Sequence, residues 1–177
     1  MVENHRIRLE LPNMCHVESM YEAFEESREV LGRFMPWPHV VSSLDDIAEN
    51  MQQAITNREK FEGELRYTLI CKETERVLGV LGLTILDKTV PSFEIGYWLR
   101  NSAVGKGYMT EAVKLVEHYA FETLNANRIQ ICMADKNLKS RAIAERCGYN
   151  HEATLLNARR LPNGELGNTL IYCKLPA

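Results

Sequence analysis

The chain switches between two hydrophobic periods, and each switch marks an element boundary. Arg6-Ile7-Arg8-Leu9-Glu10-Leu11 alternates polar and apolar residues, the period of a half-buried strand, and Pro12 ends it. From Asn13 to Phe34 the apolar positions Val17, Met20, Tyr21, Phe24, Val30, Leu31 and Phe34 recur three and four apart, which predicts a helix. Met35-Pro36-Trp37-Pro38 leaves that helix as a loop, because proline lacks the N–H and clashes with the preceding turn. Ser43 with Asp46 three residues on reads as a capping box, opening a second helix through Ile47, Met51, Ala54 and Ile55 to about Lys60.

The middle of the chain reads as strands. Leu65 to Cys71, Val77 to Leu86 and Phe93 to Leu99 are short apolar runs separated by polar turns, which predicts an antiparallel meander. Met109, Ala112, Val113, Val116, Tyr119 and Ala120 then share one helical face. A strand from Arg128 to Met133 follows, and a short helix from Leu138 to Arg146 is stopped by Gly148. Strands near Leu155 to Arg160 and Leu166 to Leu175 flank Pro162-Asn163-Gly164, a hairpin signal. The order β-α-α-β-β-β-α-β-α-β-β describes an α+β or mixed α/β protein. With no repeat, low-complexity tract or linker, residues 1–177 read as one domain.

Composition narrows the partners. A hydrophobic share of 45%, a charged share of 25% and a net charge of −3 describe an ordinary globular chain and argue against direct nucleic-acid binding through a basic surface. The amino terminus shows no apolar signal segment, and the apolar run Val77 to Leu86 is too short to span a membrane, so a cytoplasmic location is expected. Cys15, Cys71, Cys132, Cys147 and Cys173 are scattered singly and read as reduced core thiols. Neither they nor the histidines have zinc-ligand spacing, so no metal is expected.

The chemistry concentrates where a strand, Glu94 to Arg100, runs into Val104-Gly105-Lys106-Gly107-Tyr108-Met109-Thr110 and a helix. Glycines 105 and 107 let the backbone turn tightly and approach a ligand, and the helix behind them presents unpaired N–H groups. Such a turn suits a phosphate or pyrophosphate, but it equally serves as a plain strand-to-helix connection. Neither the Walker pattern nor the dinucleotide pattern fits these residues.

Further residues carry a resemblance. Glu94-Ile95-Gly96-Tyr97-Trp98-Leu99, Gly105-Lys106-Gly107-Tyr108-Met109-Thr110-Glu111-Ala112, Tyr119-Ala120-Phe121, Asn127-Arg128, Asn137-x-x-Ser140-Arg141 and Glu145-Arg146-x-Gly148-Tyr149 occur in that order. Together with the Asn163-Gly164 hairpin and the Phe34-Met35-Pro36-Trp37 loop, they resemble the GNAT superfamily of acyl-CoA N-acyltransferases, and within it the RimJ/RimL-type ribosomal-protein acetyltransferases.

The resemblance implies a mostly antiparallel, twisted sheet of about seven strands flanked by about four helices, with the fourth and fifth strands splayed around the pantetheine arm of acetyl-CoA. Backbone groups of Tyr97, Trp98 and Leu99 would pair with pantetheine, Gly105, Lys106, Gly107, Tyr108, Met109 and Thr110 would hold the pyrophosphate, and Asn137 would touch the arm. An N–H near Leu99 would stabilise the oxyanion, and Ser140 would protonate the leaving thiolate. Glu94 is the first candidate for the base and Glu64 the second, with a water relay as the remaining route; Cys132 stands where other N-terminal acetyltransferases have a glutamate. Phe34, Trp37 and His39 would shape the acceptor site. The implied acceptor is an amine, foremost the N-terminus of a ribosomal protein, and a homodimer is compatible with the family. A small amine such as a polyamine, amino acid or antibiotic, or a coenzyme A-binding module without turnover, are the alternatives.

Overall fold

The computed structural model describes residues 2–176. One sheet runs through them: β1 (Val2–Glu3), β2 (Ile7–Glu10), β3 (Glu64–Cys71), β4 (Val77–Asp87), β5 (Ser92–Leu99), β6 (Arg128–Ala134), β7 (Asn150–Arg160) and β8 (Leu166–Lys174). Their spatial order is β1-β2-β3-β4-β5-β6-β8-β7, and β5 with β6 is the parallel pair. Helices α1 (Val17–Leu31), α2 (Leu44–Lys60), α3 (Tyr108–Glu122) and α4 (Leu138–Arg146) complete the expected mixed α/β fold.

Among the described residues the sheet has eight strands where about seven were expected; the additional one, β1, is two residues long, too short to show a period. Strand β7 begins at Asn150, before Leu155: it lies on the sheet edge, mostly exposed, so its polar start carries no apolar alternation. A single 3-10 turn at Met14–His16, capped by the Asn13 side chain, precedes α1, so the helix proper is shorter than its periodicity. The Ser43–Asp46 capping box is present as read.

Helices pack on both faces of the sheet. Val17, Met20, Phe24 and Leu31 of α1 and Ile47 and Met51 of α2 close over Ile70, Val77 and Val80. On the opposite face α3 contributes Met109, Ala112, Val113, Val116 and Ala120 to the larger cluster, over Leu65, Leu81, Phe93 and Ile129. Burial on both faces explains why β3 and β4 read as continuous apolar runs. Cys71, Cys147 and Cys173 are buried as expected, whereas Cys15 is exposed.

A buried latch joins α1 to the end of β5. Arg100, 4% exposed, donates to Glu26 at 3.0 and 2.6 Å and to the Val77 carbonyl at 3.0 Å. The Ser102 N–H reaches Glu26 at 2.7 Å, and the Asn101 N–H reaches Ser27 Oγ at 2.8 Å. Burial favours the neutral carboxyl, but the hydrogen bonds from Arg100 and Ser102 outweigh it and hold Glu26 at about 2 against an ordinary 4.5. A carboxyl lowered on folding stabilises the fold above its unfolded pKa, and that stabilisation fades as pH falls from about 4.5 to about 2. Replacing Glu26 by Gln leaves the buried guanidinium without its counter-charge and should cost about 2 kcal/mol, less than a wholly enclosed pair because Glu26 keeps 29% exposure. Urea unfolding at neutral pH and through the acid window checks both parts: the variant should be less stable and less acid-sensitive.

Candidate active site

The site starts from a strand that loses one partner. β5 pairs with β4 along its whole length, but with β6 only at Ser92↔Arg128, Phe93↔Ile129 and Glu94↔Gln130. Beyond that point β6 continues beside β8 alone. The Arg100 N–H donates to the Leu78 carbonyl at 2.7 Å, which fixes the phase of the antiparallel ladder. Residues 94, 96, 98 and 100 therefore turn their backbone groups to β4, while Tyr97 and Leu99, beyond the last β6 pairing, turn theirs to the gap. The backbone groups of Tyr97 and Leu99 thus face the gap, whereas the backbone of Trp98 faces β4, and Trp98 borders both this cleft and the α1–α2 side of the strand.

The gap widens into a cleft of about 710 Å³, bounded by β5, the glycine turn, the starts of α3 and α4, and the end of α1. Gly105 and Gly107 have φ of +83° and +84°, in the left-handed region, and a Cβ on Gly105 would meet nothing within 4 Å. Gly107 is the N-cap of α3 and no side chain caps that helix, so its first N–H groups remain available to an anion. Gly105, Gly107, Tyr108, Met109 and Thr110 line the cleft; Lys106 does not, and its carbonyl accepts from Arg6 instead. Arg6 braces this turn from β2, donating to the Lys106 carbonyl at 3.0 Å and to Glu111 at 2.5 Å, with its guanidinium 4.5 Å over the Tyr108 ring.

Opposite the turn, Lys139 and Arg146 add positive charge to the wall, Arg146 lying 3.5 Å from Thr110 Oγ1. Neither is named as a site residue by sequence reasoning; a cation three residues before Ala142 and another four after it are unremarkable until α4 docks beside the turn. Asn137 caps α4, its Oδ1 accepting the Ser140 N–H at 3.2 Å. Because Asn137 does the capping, the Ser140 hydroxyl is left to the cleft, where it lies 3.0 Å from Tyr97 Oη. Burial pushes the Tyr97 phenol up to about 12, with the Ser140 hydrogen bond pulling the other way.

A second cavity, about 420 Å³, lies on the α1–α2 side of β5 and meets the first at Met35, Tyr97 and Trp98. Trp37 lines it, stacked on Phe24 with centroids 5.2 Å apart and facing Trp98 at 6.1 Å. Phe34 lines the larger cleft instead, and His39 lines neither: its Nε2 lies 2.9 Å from the Gly32 carbonyl, closing the end of α1. The two glutamates separate as well. Glu94 is hydrogen-bonded by Gln130 at 2.8 Å and lines neither cavity, whereas Glu64 lines the smaller one. Cys132 is no substitute base, since burial and then the Glu94 charge push its thiol up to about 12.

A splayed parallel pair, a glycine turn at an uncapped helix and a second cavity reaching the same strand define a coenzyme-binding acyl-transfer site. The comparisons agree. The GNAT acetyltransferase domain family matches residues 6–150, and the chain belongs to that family. It is 31% identical over 153 residues to the Bacillus subtilis protein YdaF, named provisionally as a ribosomal N-acetyltransferase, covering 84% of this chain and 80% of that one. The Escherichia coli ribosomal-protein-serine acetyltransferase is 26% identical over 160 residues, covering 90% and 87%. Among solved structures, the microcin C7 self-immunity acetyltransferase MccE, in complex with acetyl-CoA and AMP, superposes with a TM-score of 0.91 at 27% identity, covering 98% and 94%. The chain is an acyl-CoA-dependent N-acetyltransferase, and acetyl-CoA is its acyl donor.

Filling the turn should block the donor. Gly107→Trp puts a bulky residue at a left-handed position on the cleft wall, and should raise the KM for acetyl-CoA by at least about tenfold. Isothermal titration with coenzyme A checks it, with unchanged affinity counting against the cradle.

Proposed function

We propose that this enzyme acetylates the α-amine of a protein N-terminus, with a ribosomal protein as the leading acceptor and the cytoplasm as its setting. The carrying observation is the meeting of two cavities at Tyr97 and Trp98, one fitted to coenzyme A and the other open to an acceptor. The relatives named for ribosomal-protein acetylation support the acceptor class.

Bound acetyl-CoA supplies an acetyl carbonyl activated as a thioester. Each step then falls to a group of this chain. Glu64 receives the acceptor ammonium and takes a proton from it, leaving the nitrogen lone pair free to attack. The Leu99 N–H, facing the gap, offers a hydrogen bond to the carbonyl oxygen as negative charge builds there. Tyr97, which keeps its proton because its pKa is about 12, can donate a hydrogen bond to Ser140 Oγ at 3.0 Å; the Ser140 proton passes to the sulfur as the C–S bond breaks, and the proton the nitrogen sheds as the amide forms returns through solvent to Ser140 Oγ. Glu94, held by Gln130 away from both cavities, is the weaker candidate for the base.

Release of free thiol from acetyl-CoA, followed with a panel of N-terminal peptides and of small amines, tests the acceptor. Peptides should be turned over faster than polyamines or free amino acids, and the reverse order would favour the small-amine reading. Two substitutions test the roles. Glu64→Gln should lower kcat by about 100-fold, the low end for a general base, and Glu94→Gln far less. Ser140→Ala should lower kcat by about tenfold with little change in the affinity for coenzyme A, and a wild-type rate would remove Ser140 from the chemistry.

A further inference from the structure

The smaller cavity carries more information than that an acceptor enters. Most of its walls are apolar, with Met20 and Met51 from the two helices, Trp37 from the loop between them, and Val80 and Trp98 from the sheet, while Asn50, Glu64 and Arg66 form a polar edge. Its floor is open at Gly96, where a Cβ would meet nothing within 4 Å. Across the ladder, Gly96 faces Gly82, and the space a Gly82 side chain would need is filled by the Glu64 carboxyl, with Oε1 over it. Arg66 donates twice to Glu64, at 3.0 and 2.6 Å, and both bonds fall on Oε2. Oε1 is therefore left for another donor beside the point where β5 opens toward the acetyl group.

The arrangement is a carboxylate, one oxygen of which is held by Arg66 and the other left open, at the rim of a largely apolar pocket. An ammonium fits the first, and the second has room for far more than a hydroxymethyl or methyl group. A volume of about 420 Å³ lies within the range of small-ligand sites. Methionines on two walls adapt to differing apolar shapes, and indole faces favour flat or branched hydrocarbon. We infer that the acceptor carries a large apolar side chain, such as Phe, Leu or Met, on the carbon bearing the reactive amine, and that this cavity holds it while Glu64 Oε1 takes the ammonium. The inference rests on the proposed protein-amine acceptor and specifies its first residue.

The test uses the intact enzyme with excess acetyl-CoA and peptides identical after the first residue, which is Phe, Leu, Met, Ala or Ser. The first three should exceed Ala and Ser in kcat/KM by at least about tenfold, the discrimination expected for a few buried methylenes. Equal values, or faster turnover of Ala or Ser, would overturn the inference. Gly96→Val supplies the second arm: the position is uncrowded, so the variant should match the wild-type melting temperature while the cavity loses its floor. Its KM for the Leu peptide should rise by at least about tenfold, and an unchanged KM would also overturn the inference. If no peptide is turned over, the comparison is repeated with phenethylamine against ethanolamine. Preference for phenethylamine would retain the apolar cavity and remove the protein acceptor; no preference, or no turnover, would remove both.

Discussion

Everything about this site depends on a strand inside the sheet that has lost one neighbour. An unpaired backbone N–H or carbonyl shielded from water costs about 1–3 kcal/mol, so interior strands are normally paired on both sides. Tyr97 and Leu99 break that rule, because β6 follows β5 for three residues and then stays with β8. The rest of the molecule keeps the gap from closing or slipping. β4 holds the other edge of β5 in close contact: at Gly79 a Cβ would come within 2.2 Å of the Trp98 carbonyl, which admits no side chain there. The Glu26–Arg100 latch pins the end of the strand, and Tyr97 Oη to Ser140 spans the gap to α4. An extended ligand with amide groups of its own would restore the missing pairing, as the proposed placement of pantetheine requires.

The same strand explains how two substrates reach one point. A strand alternates its side chains between faces, and its backbone groups between neighbours, with the same period of two. Odd positions of β5 give their side chains to the α3–α4 face and, past the last β6 pairing, their backbone to the gap, so Tyr97 and Leu99 are the residues the proposed donor would meet. Even positions face α1 and α2, so Gly96 and Trp98 floor the acceptor cavity. One residue without a side chain, Gly96, opens that floor.

What was legible in the sequence was local. The glycine turn, the Ser43 capping box and the Asn163-Gly164 hairpin each depend on a few neighbouring residues, and each is present. What was hidden depends on pairing across long separations. Glu64 and Glu94 are both carboxylates at strand starts, and only the Gly82 vacancy opposite Gly96 tells which one looks into the acceptor cavity. Arg6 sits 100 residues from the Lys106 carbonyl it holds, so nothing near it hints at the role. His39 misled for a related reason. It shares a loop with Trp37, but a loop has no period to say which side chains turn inward, and His39 turns to the end of α1.

That loop also decides how far the acceptor cavity constrains its guest. Loops are ordinarily the mobile part of a fold, and a mobile wall would shape itself to any acceptor. Here the wall is tied down. Arg28 of α1 donates to the Pro38 carbonyl at 2.9 Å and to the Val41 carbonyl at 2.5 Å, while its guanidinium lies 4.5 Å over the Phe24 ring. Phe24 in turn stacks on Trp37, and the two prolines limit the backbone between them. A guest therefore meets a cavity whose shape was set by folding, and the energy it would spend ordering the loop is available for discrimination. Met35 extends the consequence, because it lines both cavities. The loop that walls the smaller cavity thus also closes the end of the larger cleft, so in the proposed reading a guest in one cavity presses on a wall of the other.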